Sequence, residues 1–124
     1  MKRWLVRILL AALAGVLVVI VINSNRDPIA VLEEFGAKIK RNEQGEVVEL
    51  SLHDTKITDA GLVHLKGLTN LQNLDLIGTK VTDAGLVHLK DLTNLQLLRL
   101  EDTQVTDAGL AAMKQTLPNC QVTK

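Results

Sequence analysis

Residues 47–70 read VVELSLHDTKITDAGLVHLKGLTN, and residues 71–94 read LQNLDLIGTKVTDAGLVHLKDLTN. Sixteen of these 24 positions are identical. Residues 95–119, LQLLRLEDTQVTDAGLAAMKQTLPN, carry the pattern a third time with one residue added before Leu117, and a fourth copy opens at Cys120 and runs to Lys124. A fixed period of this length describes stacked copies of one supersecondary unit. Chance does not place Asp59, Asp83 and Asp107 in identical TDAGL frames.

The chemistry inside each copy specifies the unit. Leu50 and Leu52, Leu74 and Leu76, and Leu98 and Leu100 are each two apart, the spacing of a strand with one buried face. Thr58-Asp59, Thr82-Asp83 and Thr106-Asp107 are helix N-cap chemistry, with oxygens that accept unpaired backbone N–H groups. Leu62 and Leu65, then Leu86 and Leu89, lie three apart on one helical face. Each copy thus reads L-x-x-L-x-L-x-x-T-x-[IV] and then T-D-A-G-L-x-x-[LM]-K-x-L, with Val47 in the opening leucine position of the first. This pattern resembles the leucine-rich repeat, most closely the bacterial and ribonuclease-inhibitor-like forms that carry T-D-A-G-L. The resemblance covers residues 47–119 and implies an α/β solenoid, with short parallel strands on a concave face and short helices on a convex one. Thr55, Thr79 and Thr103 stand where that family usually has Asn or Cys, so a hydroxyl is expected to satisfy backbone in the buried turn.

A stack of three repeats needs caps, because a repeat cannot bury its own apolar face. Residues 27–46 supply the front one. Asp27-Pro28 is an N-cap and first-turn proline opening a short helix to about Phe35, with Ile29, Leu32 and Phe35 packing on the first repeat. A strand at 37–41 and a turn at Glu43-Gln44-Gly45 lead into the repeats. At the back, the strand at 120–124 is the only closure visible, a thin cap with an exposed edge.

Residues 5–22 are apolar apart from Arg7, and Lys2, Arg3 and Arg7 make residues 1–7 basic. As a helix, residues 4–22 span about 28 Å, close to a ~30 Å hydrocarbon core. This predicts a transmembrane helix over 8–22, followed by a linker at 23–26. The basic flank stays in the cytoplasm and the repeats lie outside it. A cleaved signal peptide, giving a secreted domain, is the alternative. The A-x-A at 12–14 lies inside the run, and Val16 stands where a lipidated cysteine would be needed.

Composition narrows the function classes. Aromatic residues are 2% of the chain and Tyr is absent, which argues against stacking on single-stranded nucleic acid. Setting aside the three basic residues before the apolar run, 11 basic residues face 14 acidic ones, a charge of about −3 that gives no case for nucleic acid. One cysteine, Cys120, excludes an intrachain disulfide and a cysteine-rich zinc site; it occupies a core leucine position. His64 and His88 recur one repeat apart, but Ala112 replaces them in the third, so they read as duplicated outer-face residues rather than metal ligands. His53 with Asp54 and Glu49 is the nearest approach to an acid–base cluster. No nucleophile elbow or phosphate loop accompanies it, so neither catalysis nor a cofactor is expected.

The strand residues that face away from the core are Glu49, Ser51 and His53; Asn73, Asp75 and Ile77; Leu97, Arg99 and Glu101. They differ between copies while the framework is constant. Such variation fits a surface that recognises a protein partner, and fits equally an unconstrained solvent face. Asp75 and Arg99 are expected as neighbours about 4.8 Å apart on adjacent strands, and Ile77 and Leu97 as the apolar anchors. The favoured reading is a non-catalytic, membrane-tethered binding module. The alternative is a structural or self-associating envelope protein that pairs through its C-terminal edge strand.

Overall fold

The computed structural model describes residues 6–13, 16–23 and 26–124, the first two segments by backbone alone. It is a mixed α/β arrangement with a largely parallel sheet and short helices, of leucine-rich-repeat-like architecture. The N-terminal segment departs from the sequence expectation. In place of a transmembrane helix over 8–22 there are two strands, β1 (Val6–Leu13) and β2 (Val16–Asn23), paired antiparallel from Val6 opposite Asn23 to Leu13 opposite Val16. Residues 1–5, 14–15 and 24–25 of the expected basic N-terminus, span and linker lie outside the described residues. Six of the eight residues of β2 are β-branched, which favours the extended backbone, and an unbroken apolar run specifies burial without choosing between helix and strand. Among the described residues, no helix is long and apolar enough to cross a membrane.

Ahead of the repeats lie a short helix and a strand. Asp27 accepts a hydrogen bond from the Ile29 N–H at 3.1 Å, Pro28 occupies the first turn, and helix α1 runs over Pro28–Glu34. Leu32 is wholly buried and Ile29 packs against the core, but Phe35, at the helix end, is 38% exposed and only grazes the first repeat beside Gly61. Strand β3 (Lys38–Arg41) pairs antiparallel with β4 (Val47–Ser51) across a turn in which Asn42 accepts from the Gln44 and Glu46 N–H groups.

From β4 onward every strand is parallel to the last. β5 (Asn73–Asp75), β6 (Leu97–Arg99) and β7 (Gln121–Thr123) follow at the repeat period, giving the sheet order β3-β4-β5-β6-β7. The core is built of columns with one residue per repeat. Leu50, Leu74, Leu98 and Val122 form one; Leu52, Leu76 and Leu100 a second; Ile57, Val81 and Val105 a third; Leu65, Leu89 and Met113 a fourth. On the other face, Asp59–Leu65 and Asp83–Leu89 are 3-10 helices, whereas Asp107–Thr116 is a full α-helix, α2. The extra residue of the third repeat accommodates this longer helix, which covers the last layer. Leu117, Cys120 and Val122 are therefore buried, so the back of the core is better closed than the thin cap expected, although β7 still ends the sheet.

One column behaves differently from its sequence reading, and a second does so in one of its members. Asp59 and Asp83 do not cap their own helices. Asp59 accepts from the Thr82 N–H at 2.8 Å and from its hydroxyl, and Asp83 treats Thr106 the same way, so each carboxylate grips the next repeat. Thr82 and Thr106 in turn accept from the Ala84 and Gly109 N–H groups, which is the capping role. The glycine of the motif makes room for this clamp. A methyl group added at Gly85 would run into the Asp59 carboxylate, and one at Gly109 into that of Asp83. Two of the three turn threonines donate to backbone as expected, Thr79 to the Leu76 carbonyl at 2.7 Å and Thr103 to that of Leu100 at 2.6 Å, whereas the buried hydroxyl of Thr55 has no hydrogen-bond partner. Immediately before them, Asp54, Gly78 and Asp102 share a left-handed backbone (φ 55°, 69° and 55°), which Asp tolerates better than most side chains and Gly adopts freely.

The clamp predicts a non-additive pair of substitutions. Asp59→Ala is expected to cost about 1–3 kcal/mol, since it leaves Thr82 donors unpaired, and Gly85→Ala about 1–3 kcal/mol by overpacking. In the double variant the methyl no longer meets a carboxylate, so the urea-measured loss should fall short of the sum by about 1 kcal/mol or more. Strict additivity would mean that Asp59 and Gly85 do not interact. A second prediction concerns acid. The Thr106 hydroxyl, then its N–H, holds the Asp83 carboxyl below the usual carboxylate range, assisted by Lys124 and opposed by desolvation. A depressed folded-state pKa means stabilisation that is complete above the unfolded value of about 3.9 and lost as pH falls through the folded one. Asp83→Ala should accordingly be less stable at neutral pH and lose less stability below pH ~4 than the native chain, as read by circular dichroism.

Candidate functional site

The concave face is ordered by strand register. Glu49, Asn73, Leu97 and Gln121 form one row across the sheet, and Ser51, Asp75, Arg99 and Thr123 the next. Both rows flank the buried leucine row, because alternate strand residues point to opposite faces. His53, Ile77 and Glu101 follow just beyond the strands, where the Asp54 and Gly78 N–H groups donate to the carbonyls of Ile77 and Glu101 at 2.8 and 3.0 Å. The structure thus brings all nine sequence-nominated residues onto one side of the sheet. Six of them lie within the strands and line an open groove of about 410 Å³, whereas His53, Ile77 and Glu101 lie outside its lining.

Sequence reading missed four residues of this face. Lys38 and Lys40 come from β3, where Lys38 lies opposite Ser51 and Lys40 opposite Glu49. Alternation in Lys-Ile-Lys, with Ile39 packed on the core, was the available signal. Gln121 and Thr123 extend the two rows onto the back cap.

Electrostatically, the face is a chain of short-range pairs. Lys40 meets Glu49 at 3.0 Å. Asp75, 21% exposed, is approached by the His53 Nδ1 at 3.7 Å and by the Arg99 guanidinium at 3.9 Å, while its other oxygen accepts from the Ile77 N–H at 3.0 Å. The expected neighbours Asp75 and Arg99 are therefore adjacent, in a pair of the weak, solvated kind. His53 also faces Asp54 at 3.1 Å. The imidazole thus meets Asp54, a member of the expected grouping, and takes Asp75 rather than Glu49 as its second carboxylate. Glu101 is held below the ordinary carboxylate range chiefly by its own backbone N–H, with desolvation opposing and Thr123 and Arg99 assisting.

Away from this face, His64 and His88 are half-buried on the convex side, and among the described residues no three His, Cys, Asp or Glu side chains converge on a metal position. Burial raises the Cys120 thiol above its ordinary value. In the native chain it should react with a disulfide reagent at least ten-fold more slowly than in urea, as followed by absorbance. Equal rates would show that the back cap does not cover it.

No family model matches the chain, and comparison with curated proteins finds no match. Among solved structures it is similar to a leucine-rich-repeat protein of Leptospira interrogans, 23% identical with a TM-score of 0.43, over 50% of this chain and 16% of that one. The chain thus spans about a sixth of that protein's length.

Proposed function

We propose that this chain is a non-catalytic recognition module that binds a protein partner through its concave face, by shape and polar contacts. One contrast carries this reading. The core columns repeat nearly leucine for leucine, whereas at equal register Glu49, Asn73 and Leu97, or Ser51, Asp75 and Arg99, present unlike chemistry. Stacked repeats of this kind offer an extended surface rather than a deep pocket. The open groove suits docking better than exclusion of water from a reaction. No cofactor enters this reading.

We further infer that the apolar N-terminal residues 5–22 hold the module at a membrane, where the run would give up the antiparallel pairing of β1 and β2 for a single crossing that leaves the repeats outside the cytoplasm. The basic residues Lys2, Arg3 and Arg7 ahead of the run support that orientation. Membrane fractionation with protease added to intact cells tests it: a pelleted and protease-sensitive chain is expected, and release into the medium would favour cleavage and secretion. The second reading, self-association, draws on β7, a terminal strand of the sheet. It predicts a dimer in sedimentation that survives concave substitutions.

For the concave face, a random peptide library selected on the full chain provides the test. Selected ligands should bind at least ten-fold more weakly to a variant carrying Asp75→Lys, Ile77→Asp and Arg99→Glu, and unchanged to Val63→Asp with Val87→Asp on the convex side. Ligands lost only with the convex substitutions would overturn the assignment.

A further inference from the structure

The charges of the concave face are arranged with a spacing that selects a ligand. Register places Lys38, Ser51, Asp75 and Arg99 side by side in a single row across β3, β4, β5 and β6. Glu101, just beyond β6, lies within charge range of Arg99, and the two carboxylates nearest the row are already occupied by the chain itself, Glu49 by Lys40 and Asp75 by His53, Arg99 and the Ile77 N–H. The cations at the two ends are not. Lys38 is exposed and has no acidic partner among the described residues. Arg99 is half exposed and touches Asp75 only at 3.9 Å, which leaves most of its five guanidinium donors for an incoming carboxylate.

We propose that the concave face takes an extended peptide segment lying across the strands, with two acidic side chains four residues apart and a hydroxyl or amide side chain midway; this rests on the concave face being the recognition surface. Three strand intervals separate Lys38 from Arg99, about 14 Å at ~4.8 Å each. An extended chain covers about 13 Å in four residues, and side chains i, i+2 and i+4 point to the same side. Acids at i and i+4 therefore reach Lys38 and Arg99 together. The residue at i+2 lies over Ser51 and Asp75, where a third carboxylate would be repelled by Asp75 and a hydrogen-bond donor is accepted. A spacing of three turns the second acid away from the sheet. A polyanion is a poor fit, because the folded part carries an excess of acidic residues and Asp75 interrupts the row.

Fluorescence anisotropy on the full chain tests this, with a labelled alanine-based peptide carrying two glutamates four apart and a serine midway. It should bind about ten-fold more tightly than peptides with the glutamates three apart or replaced by glutamine, as expected for two exposed charge-assisted contacts, and more weakly as salt rises. Lys38→Ala should abolish the dependence on one glutamate and Arg99→Ala the dependence on the other; both side chains are exposed, so neither change touches the core. Equal binding of the three peptides, indifference to both substitutions, or equal competition by inorganic polyphosphate would overturn the proposal. Concave-dependent ligands from the library that lack the acidic pair would sink this proposal and leave the recognition reading standing. Absence of any concave-dependent ligand would remove both.

Discussion

Everything in this structure depends on the grip of one repeat on the next. A 24-residue unit with a three-residue strand and two turns of helix has too little interior to hold itself together, so its stability resides at its boundaries. Those boundaries have an apolar part, the leucine columns, and a polar part, the carboxylates of Asp59 and Asp83 closing on Thr82 and Thr106. The apolar part supplies most of the driving force but does not fix direction. The polar part does, since a carboxylate with two donors to meet tolerates little sliding.

The same clamp accounts for the composition of the motif. Thr is needed because its hydroxyl donates to the preceding Asp while accepting from its own helix, and a side chain with one function would leave one side unmet. Gly is needed because the Asp occupies the space that a methyl group would fill. Three residues of a five-residue motif are thus set by one contact between repeats. The concave face carries only weak, solvated pairs between repeats, His53 with Asp75 and Asp75 with Arg99, so its rows vary where the clamp residues do not.

How the ends are finished decides how much of the face is usable. Asp27, Pro28 and Leu32 close the front and bring β3 alongside β4, which adds Lys38 and Lys40 to the rows. At the back, the longer helix α2 and the buried Cys120 and Val122 cover the last leucine layer, and Gln121 and Thr123 extend the rows. A three-repeat stack thereby presents five strands' worth of surface.

Much of this was legible in the sequence. The 24-residue period, the two-residue leucine spacing and the Asp27-Pro28 start determined the repeats, the strands and the front helix, because each is a local pattern with one inexpensive backbone solution. The nine concave residues were legible for the same reason, as the complements of the leucines. What only the tertiary structure decided were contacts across the period. The aspartates read as caps for their own helices, and it takes the neighbouring repeat in place to show that their nearest unpaired donors belong to the next one. His53 read as a partner of Asp54 and Glu49, and it meets Asp54, yet its second carboxylate is Asp75 from the adjacent repeat. The N-terminal run shows the limit most plainly: apolar length specified that residues 5–22 seek burial, while the choice of paired strands over a helix reflects β-branched side chains and a hydrogen-bonding partner that hydropathy does not encode.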